Sequence, residues 1–201
     1  MNKLLLPAAK PLLFALALLP VGWLVFAAIN DLLGANPAEA LIRSTGDWTL
    51  RCLCVVLAVT PLRVITGWNA LARLRRMLGL FVFFYACLHL LCYSWLDMGL
   101  DVGDIASDIP KRPFILVGFT ALLILSLLAA TSFNRAIRLL GAKRWQLLHR
   151  GVYVVAVLAI LHFFWMRAGK NNFLEVGVYA VILLTLLGWR LVHRYRKKKP
   201  A

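Results

Sequence analysis

Apolar residues run along this chain in six long stretches, and most basic residues fall in short clusters between them. The stretches cover about residues 11–30, 48–66, 77–96, 113–131, 147–167 and 173–192. Each is close to the ~20 apolar residues that carry a helix across the hydrocarbon core of a bilayer. The predicted fold is therefore all-α and integral to a membrane, a bundle of six transmembrane helices. The second stretch is the weakest, because Arg51, Pro61 and Arg63 lie within or beside it. Pro61 is expected to end or bend that helix and Pro20 to kink the first, since proline lacks the N–H that an interior turn uses.

Composition agrees with this pattern and charge orients it. The 201 residues are 62% hydrophobic with a mean hydropathy of +0.82, outside the range of soluble domains. A net charge of +15 would suit nucleic acid, but the basic clusters have no solvated domain to sit on, so nucleic-acid binding is set aside. With the N-terminus in the cytoplasm, 17 of the 23 Lys and Arg residues lie inside. They are Lys3, Lys10, the groups Arg63 to Arg76 and Arg135 to Arg150, and the tail from Arg190 to Lys199. Arg43, Arg51, Lys111, Arg112, Arg167 and Lys170 fall outside, with all eight acidic residues. Lys and Arg set membrane orientation, so both termini are expected in the cytoplasm. Trp23, Trp48, Trp95, Trp165 and Trp189 sit near the predicted span ends, where aromatic belts form.

Three features are read conservatively. The run from Leu12 to Ile29 is longer than a signal-peptide core, so a retained first helix is expected despite the small-residue site at Ala38-Glu39-Ala40. Cys52, Cys54, Cys87 and Cys92 lack metal-ligand spacing and read as small buried hydrophobes. The acidic stretch from Asp97 to Lys111 is either a docking loop for a periplasmic partner or simply solvated.

Ionisable residues inside spans are costly and point to function. Among the four histidines, His193 lies in the basic tail and reads as interfacial. His89 is expected roughly 18 Å from the inner end of the third span, and His162 roughly 22 Å from the inner end of the fifth. Two neutral imidazoles at similar depth on separate helices can ligate one haem iron axially. His149 lies near the inner end of the fifth span. On an ideal helix its side chain points roughly 220° away from that of His162. It is left open whether it ligates a second haem, contacts a propionate, or binds a quinone or flavin. Arg75 and Arg76, at the inner mouth of the third span, suit propionate or flavin phosphate as well as they suit positive-inside anchoring. Gly79, Ala86, Gly151, Ala156 and Ala159 lie on the two histidine-bearing helices, where small residues admit a flat macrocycle or ordinary close packing.

The stretch Leu140-Gly141-Ala142-Lys143-Arg144-Trp145-Gln146-Leu147-Leu148-His149, continuing to Tyr153 and His162, resembles the signature of the MsrQ (YedZ) family. So do Thr60-Pro61-Leu62, Arg75-Arg76-Met77-Leu78-Gly79-Leu80 leading to Leu88-His89-Leu90, and Lys111-Arg112-Pro113. The resemblance implies one ferric-reductase-like transmembrane domain over residues 1–201, in the bacterial inner membrane. It also implies haem b, with FMN as an associated cofactor, and His89, His149 and His162 as candidate iron ligands. The implied role is an electron-transfer subunit, not the catalytic one. It would pass electrons from the quinone pool or a flavin reductase to MsrP, a periplasmic molybdopterin enzyme that repairs methionine sulfoxide. The third span carries only His89, where related oxidases carry paired histidines, so a second bis-histidine haem stays open.

The chain has no Gly-x-Gly-x-x-Gly turn and closes within about ten residues of its sixth span, so it is expected to take electrons from a quinol or separate reductase, not from NADPH. The competing reading is a stand-alone transmembrane quinol or ferric-chelate reductase.

Overall fold

The computed structural model describes residues 6–169 and 171–198, all of whose regular structure is helical. Lys3, Lys170 and Lys199, used above to orient the chain, lie outside the described residues. Six segments are long and apolar enough to cross a membrane: Ala9–Ile29, Pro37–Thr66, Arg75–Asp97, Pro113–Ala130, Ala142–Ala168 and Leu174–Arg196. They correspond one to one with the six stretches predicted. The chain divides into two compact units, Met1–Ile105 and Ala106–Ala201.

The first unit contains α1 (Leu6–Ile29), α2 (Pro37–Thr66) and α3 (Arg75–Cys92). Pro20 is inside α1 and leaves its helical assignment continuous. α2 begins at Pro37, well before the predicted start near residue 48. The reason is local. Asn36 caps the helix, its side chain accepting from the Glu39 N–H at 3.1 Å, and proline occupies the first turn, where no N–H is needed. Polar residues from Arg43 to Asp47 lower the hydropathy of this stretch without breaking its helix. Pro61 does not end α2, which runs on to Thr66 and stops at Gly67, a left-handed residue with φ of 71°. α3 leaves its C-terminus through a π-turn, Tyr93–Asp97, directly after the turn that carries His89. Such turns recur at functional sites.

The core of this unit is the seam between α2 and α3, where Leu53, Leu57, Val82 and Tyr85 are all but inaccessible. Tyr85 anchors the first helix as well, its hydroxyl donating to the Ala17 carbonyl at 2.7 Å. Trp48 stacks on Tyr85 with centroids 6.2 Å apart, and the Arg51 guanidinium lies over its ring. Trp48 is thus well inside α2 and not at its end. On the outer side of α1, Leu12, Leu19, Trp23 and Ile29 are exposed, as expected of a face that meets lipid and not water.

The chain passes to the second unit within α4 (Val102–Lys111), a short helix in what the sequence reads as an acidic loop. Asp101 starts it by accepting from the Asp104 N–H at 2.9 Å. The second unit then runs through α5 (Pro113–Ala130), α6 (Asn134–Leu140), α7 (Ala142–Leu148), α8 (Gly151–Ala168) and α9 (Leu174–Lys198). α5 packs along α8 through Ala121, Leu125, Val155 and Ala156, all buried, small residues permitting close approach. Arg167, 7% exposed near the end of α8, is held by Glu175 of α9 at 2.5 Å. The predicted fifth span is not one helix. α7 closes at Leu148, His149 and Arg150 form a turn, and α8 starts at Gly151. The phase difference calculated for an unbroken helix between His149 and His162 therefore does not apply.

Candidate functional site

In the first unit, His89 lies near the C-terminal end of α3 and leans on α2. Its Nδ1 donates to the Ile42 carbonyl at 2.8 Å, with the Thr45 hydroxyl at 3.4 Å from the same nitrogen. The ring rests on Gly46, where a Cβ would come within 3.1 Å of its Cε1. A carbonyl can only accept, so Nδ1 carries a proton, which in the neutral form of the ring leaves the lone pair on Nε2.

The second unit repeats this arrangement. His162, in α8, donates from Nδ1 to the Phe114 carbonyl of α5 at 2.6 Å. Its ring lies against Gly118, where a Cβ would stand 2.8 Å from Nδ1. In both units the accepting carbonyl and the glycine are four residues apart, one helical turn, and the histidine follows the carbonyl residue by 47 and 48 positions.

His149 is held differently. Its Nε2 lies 3.1 Å from the Thr131 hydroxyl oxygen, and that hydroxyl donates its own hydrogen to the Leu127 carbonyl at 2.8 Å. With the hydroxyl hydrogen on the Leu127 carbonyl, the imidazole is the donor through Nε2; with that hydrogen turned to the ring, Nε2 accepts. Its ring stacks on Trp145 at 4.0 Å, and the Trp145 indole N–H fixes this turn by donating to the Thr131 carbonyl at 2.8 Å.

An axial ligand to haem iron needs an unprotonated Nε2 and gains from a second-shell acceptor on Nδ1. His89 and His162 meet both requirements. His149 differs from both, its Nε2 lying within hydrogen-bond distance of the Thr131 hydroxyl and not free of a protein partner. Arg75 and Arg76 open α3 and are exposed, about 20 Å along the helix from His89. The structure does not bring them to that histidine. His193 stacks on Trp189 in α9 with centroids 4.9 Å apart.

Sequence reading missed Thr45, Gly46, Gly118, Thr131 and Trp145 as neighbours of the histidines. An isolated glycine inside an apolar run, as at Gly118, is the one signal that could have pointed to a close approach.

Residues 45–160 match a family described as "Ferric reductase like transmembrane component". A protein of Polaromonas naphthalenivorans named "Protein-methionine-sulfoxide reductase heme-binding subunit MsrQ" is 68% identical, over 98% of this chain and 90% of its own length. This chain belongs to the MsrQ family. MsrQ proteins of Herminiimonas arsenicoxydans, 52% identical over 94% of this chain and 87% of their own, and of Bordetella parapertussis, 53% over 96% and 93%, carry the same name. The ferric-reductase-like match takes in Gly46, His89, Gly118 and His149 and ends just before His162, whereas the Polaromonas MsrQ alignment covers almost the whole chain. No solved structure matches the chain.

Proposed function

We propose that this chain is the haem-binding, electron-carrying membrane subunit of a protein-methionine-sulfoxide reductase. In this reading it passes electrons from a quinol, or from a cytoplasmic flavin reductase, to a periplasmic MsrP-like catalytic partner. The observation that carries it is the pair of imidazoles held through Nδ1 on backbone carbonyls, in a chain 68% identical to a protein named as the haem-binding subunit of that reductase.

His89 and His162 would hold haem b iron through Nε2, and their pairing on one iron rests on their matched depth counted along the sequence. Haem b bound there supplies one-electron exchange between ferric and ferrous iron. The chain's own residues keep both rings in one tautomer and fix their orientation. His149, at its helix break, is assigned to the donor side as a contact for quinone or flavin. Arg75 and Arg76, about 20 Å along α3 from His89 and so beyond the propionates of a haem held there, are assigned to the phosphate of FMN, whose anionic oxygens a guanidinium fork matches. The basic clusters orient the chain in a bacterial inner membrane with both termini in the cytoplasm.

The test uses detergent-purified haem protein reduced anaerobically by a quinol analogue. Rapid reoxidation by the MsrP-like partner, with slow reoxidation by a ferric chelate, is expected. Rapid reoxidation by the chelate with no response to the partner would replace this reading with a stand-alone reductase, which the ferric-reductase-like match keeps in view. Absence of a Soret band after haem-replete expression would remove both.

A further inference from the structure

The two glycines under the histidine rings are not explained by backbone conformation. Neither Gly46 nor Gly118 has a positive φ, and each lies inside a helix, where glycine costs about 1 kcal/mol relative to alanine. Of the thirteen glycines, these two alone would set a Cβ against a histidine. At Gly118 that Cβ would stand 2.8 Å from Nδ1 and 2.9 Å from Cε1 of His162, too close to tolerate without movement. At Gly46 it would stand 3.1 Å from Cε1 and 3.2 Å from Nδ1 of His89, a tight contact that a shift of a few tenths of an ångström relieves.

We propose that Gly46 and Gly118 are positioning residues: each opens a one-residue gap that lets an imidazole lie on the helix backbone and bond the carbonyl one turn earlier. This rests on the reading of His89 and His162 as haem ligands. An imidazole whose Nδ1–H is bound to a carbonyl is the more electron-rich ligand and favours ferric iron. A methyl at either glycine pushes the ring off that carbonyl, weakens the bond, and raises the reduction potential while loosening the haem.

Thr45 tunes the first of these sites in the opposite direction. It is buried, and its hydroxyl donates to the Leu41 and Ile42 carbonyls at 2.8 and 2.9 Å. It therefore competes with His89 for the Ile42 oxygen. Removing the hydroxyl leaves that acceptor to the histidine, strengthens the bond, and lowers the potential.

The experiment compares full-length, detergent-purified Gly118→Ala, Gly46→Ala and Thr45→Val with Gly188→Ala, a glycine in α9 with nothing within 4 Å of its Cβ position. The readouts are haem per protein, reduction potential, and the g-anisotropy of the low-spin ferric signal. Gly118→Ala is expected to retain haem roughly 10- to 100-fold more weakly, the usual cost of disturbing a metal ligand's outer partner, and to raise the potential of what remains. Gly46→Ala should shift the same way by less, Thr45→Val should keep full haem at a lower potential, and Gly188→Ala should match the parent. Glycine variants indistinguishable from Gly188→Ala, while His89→Ala and His162→Ala abolish the low-spin signal, would overturn the proposal and leave the ligand reading standing. Low-spin haem persisting in both histidine variants would overturn the ligand reading, and the proposal with it. Should Gly118→Ala fail to fold, Gly46→Ala and Thr45→Val decide: opposite shifts in potential sustain the proposal, and unshifted potentials end it.

Discussion

His162 and His149 belong to the same apolar stretch, yet the chain treats them as different kinds of residue. His162 sits inside α8, its Nδ1 on a backbone carbonyl and its ring on a glycine. His149 sits in a turn between two helices, its Nε2 on a threonine hydroxyl and its ring on an indole. A main-chain carbonyl cannot rotate or donate, so it fixes which nitrogen is left to bind metal. A hydroxyl on a side chain can be re-aimed, which suits a group that meets a mobile ligand. Burial in an apolar span is common to both histidines; what separates them is the partner of each ring nitrogen, and the proposed ligand assignment follows that difference. His89 falls on the His162 side of this division, although it lies in the other unit and on a different pair of helices.

Three substitutions sharpen the contrast in stability, and the haem spectrum of each tests whether it holds. Arg167→Met removes a nearly buried guanidinium from Glu175, whose own side chain is half exposed, so the loss is expected at about 2–3 kcal/mol, below that of a fully buried pair. It should appear as a lower thermal midpoint in detergent with the haem signal retained. Trp145→Leu loses the stack on His149 and the indole bond to Thr131, about 2 kcal/mol together, again with the low-spin signal intact. Thr131→Val deletes the hydroxyl that His149 bonds, with a cost of about 1 kcal/mol by the same thermal assay. Loss of low-spin haem in Trp145→Leu or Thr131→Val would erase the distinction between the two histidines.

The hydropathy pattern was enough to locate all six spans, because runs such as Phe114 to Ala130 are continuous and lipid tolerates only satisfied backbone. It failed where polarity and helicity part company. Arg43 to Asp47 look like loop, but the helix start is written earlier, in Asn36, Pro37 and Glu39, where capping outweighs composition. Asp101 gives a similar signal for α4, overlooked inside an acidic stretch. His89 and His162 were legible as candidates from depth and the cost of a polar group in a span. Their supports were not. The Ile42 and Phe114 carbonyls carry no side-chain signature, and Gly46 and Gly118 gain meaning only once α2 is packed on α3 and α5 on α8. The break at His149 was also hidden, since Leu147, Leu148 and Val152 to Val155 keep the hydropathy high across it.

The central claim is that His89 and His162 ligate one low-spin haem and His149 does not. Low-temperature electron paramagnetic resonance and absorbance spectra of detergent-purified His89→Ala, His162→Ala and His149→Ala, with haem quantified per protein, test it directly. The account predicts that the first two variants each lose the same low-spin signal and that His149→Ala keeps it. Loss of all haem in His149→Ala, with the signal preserved in His162→Ala, would contradict it.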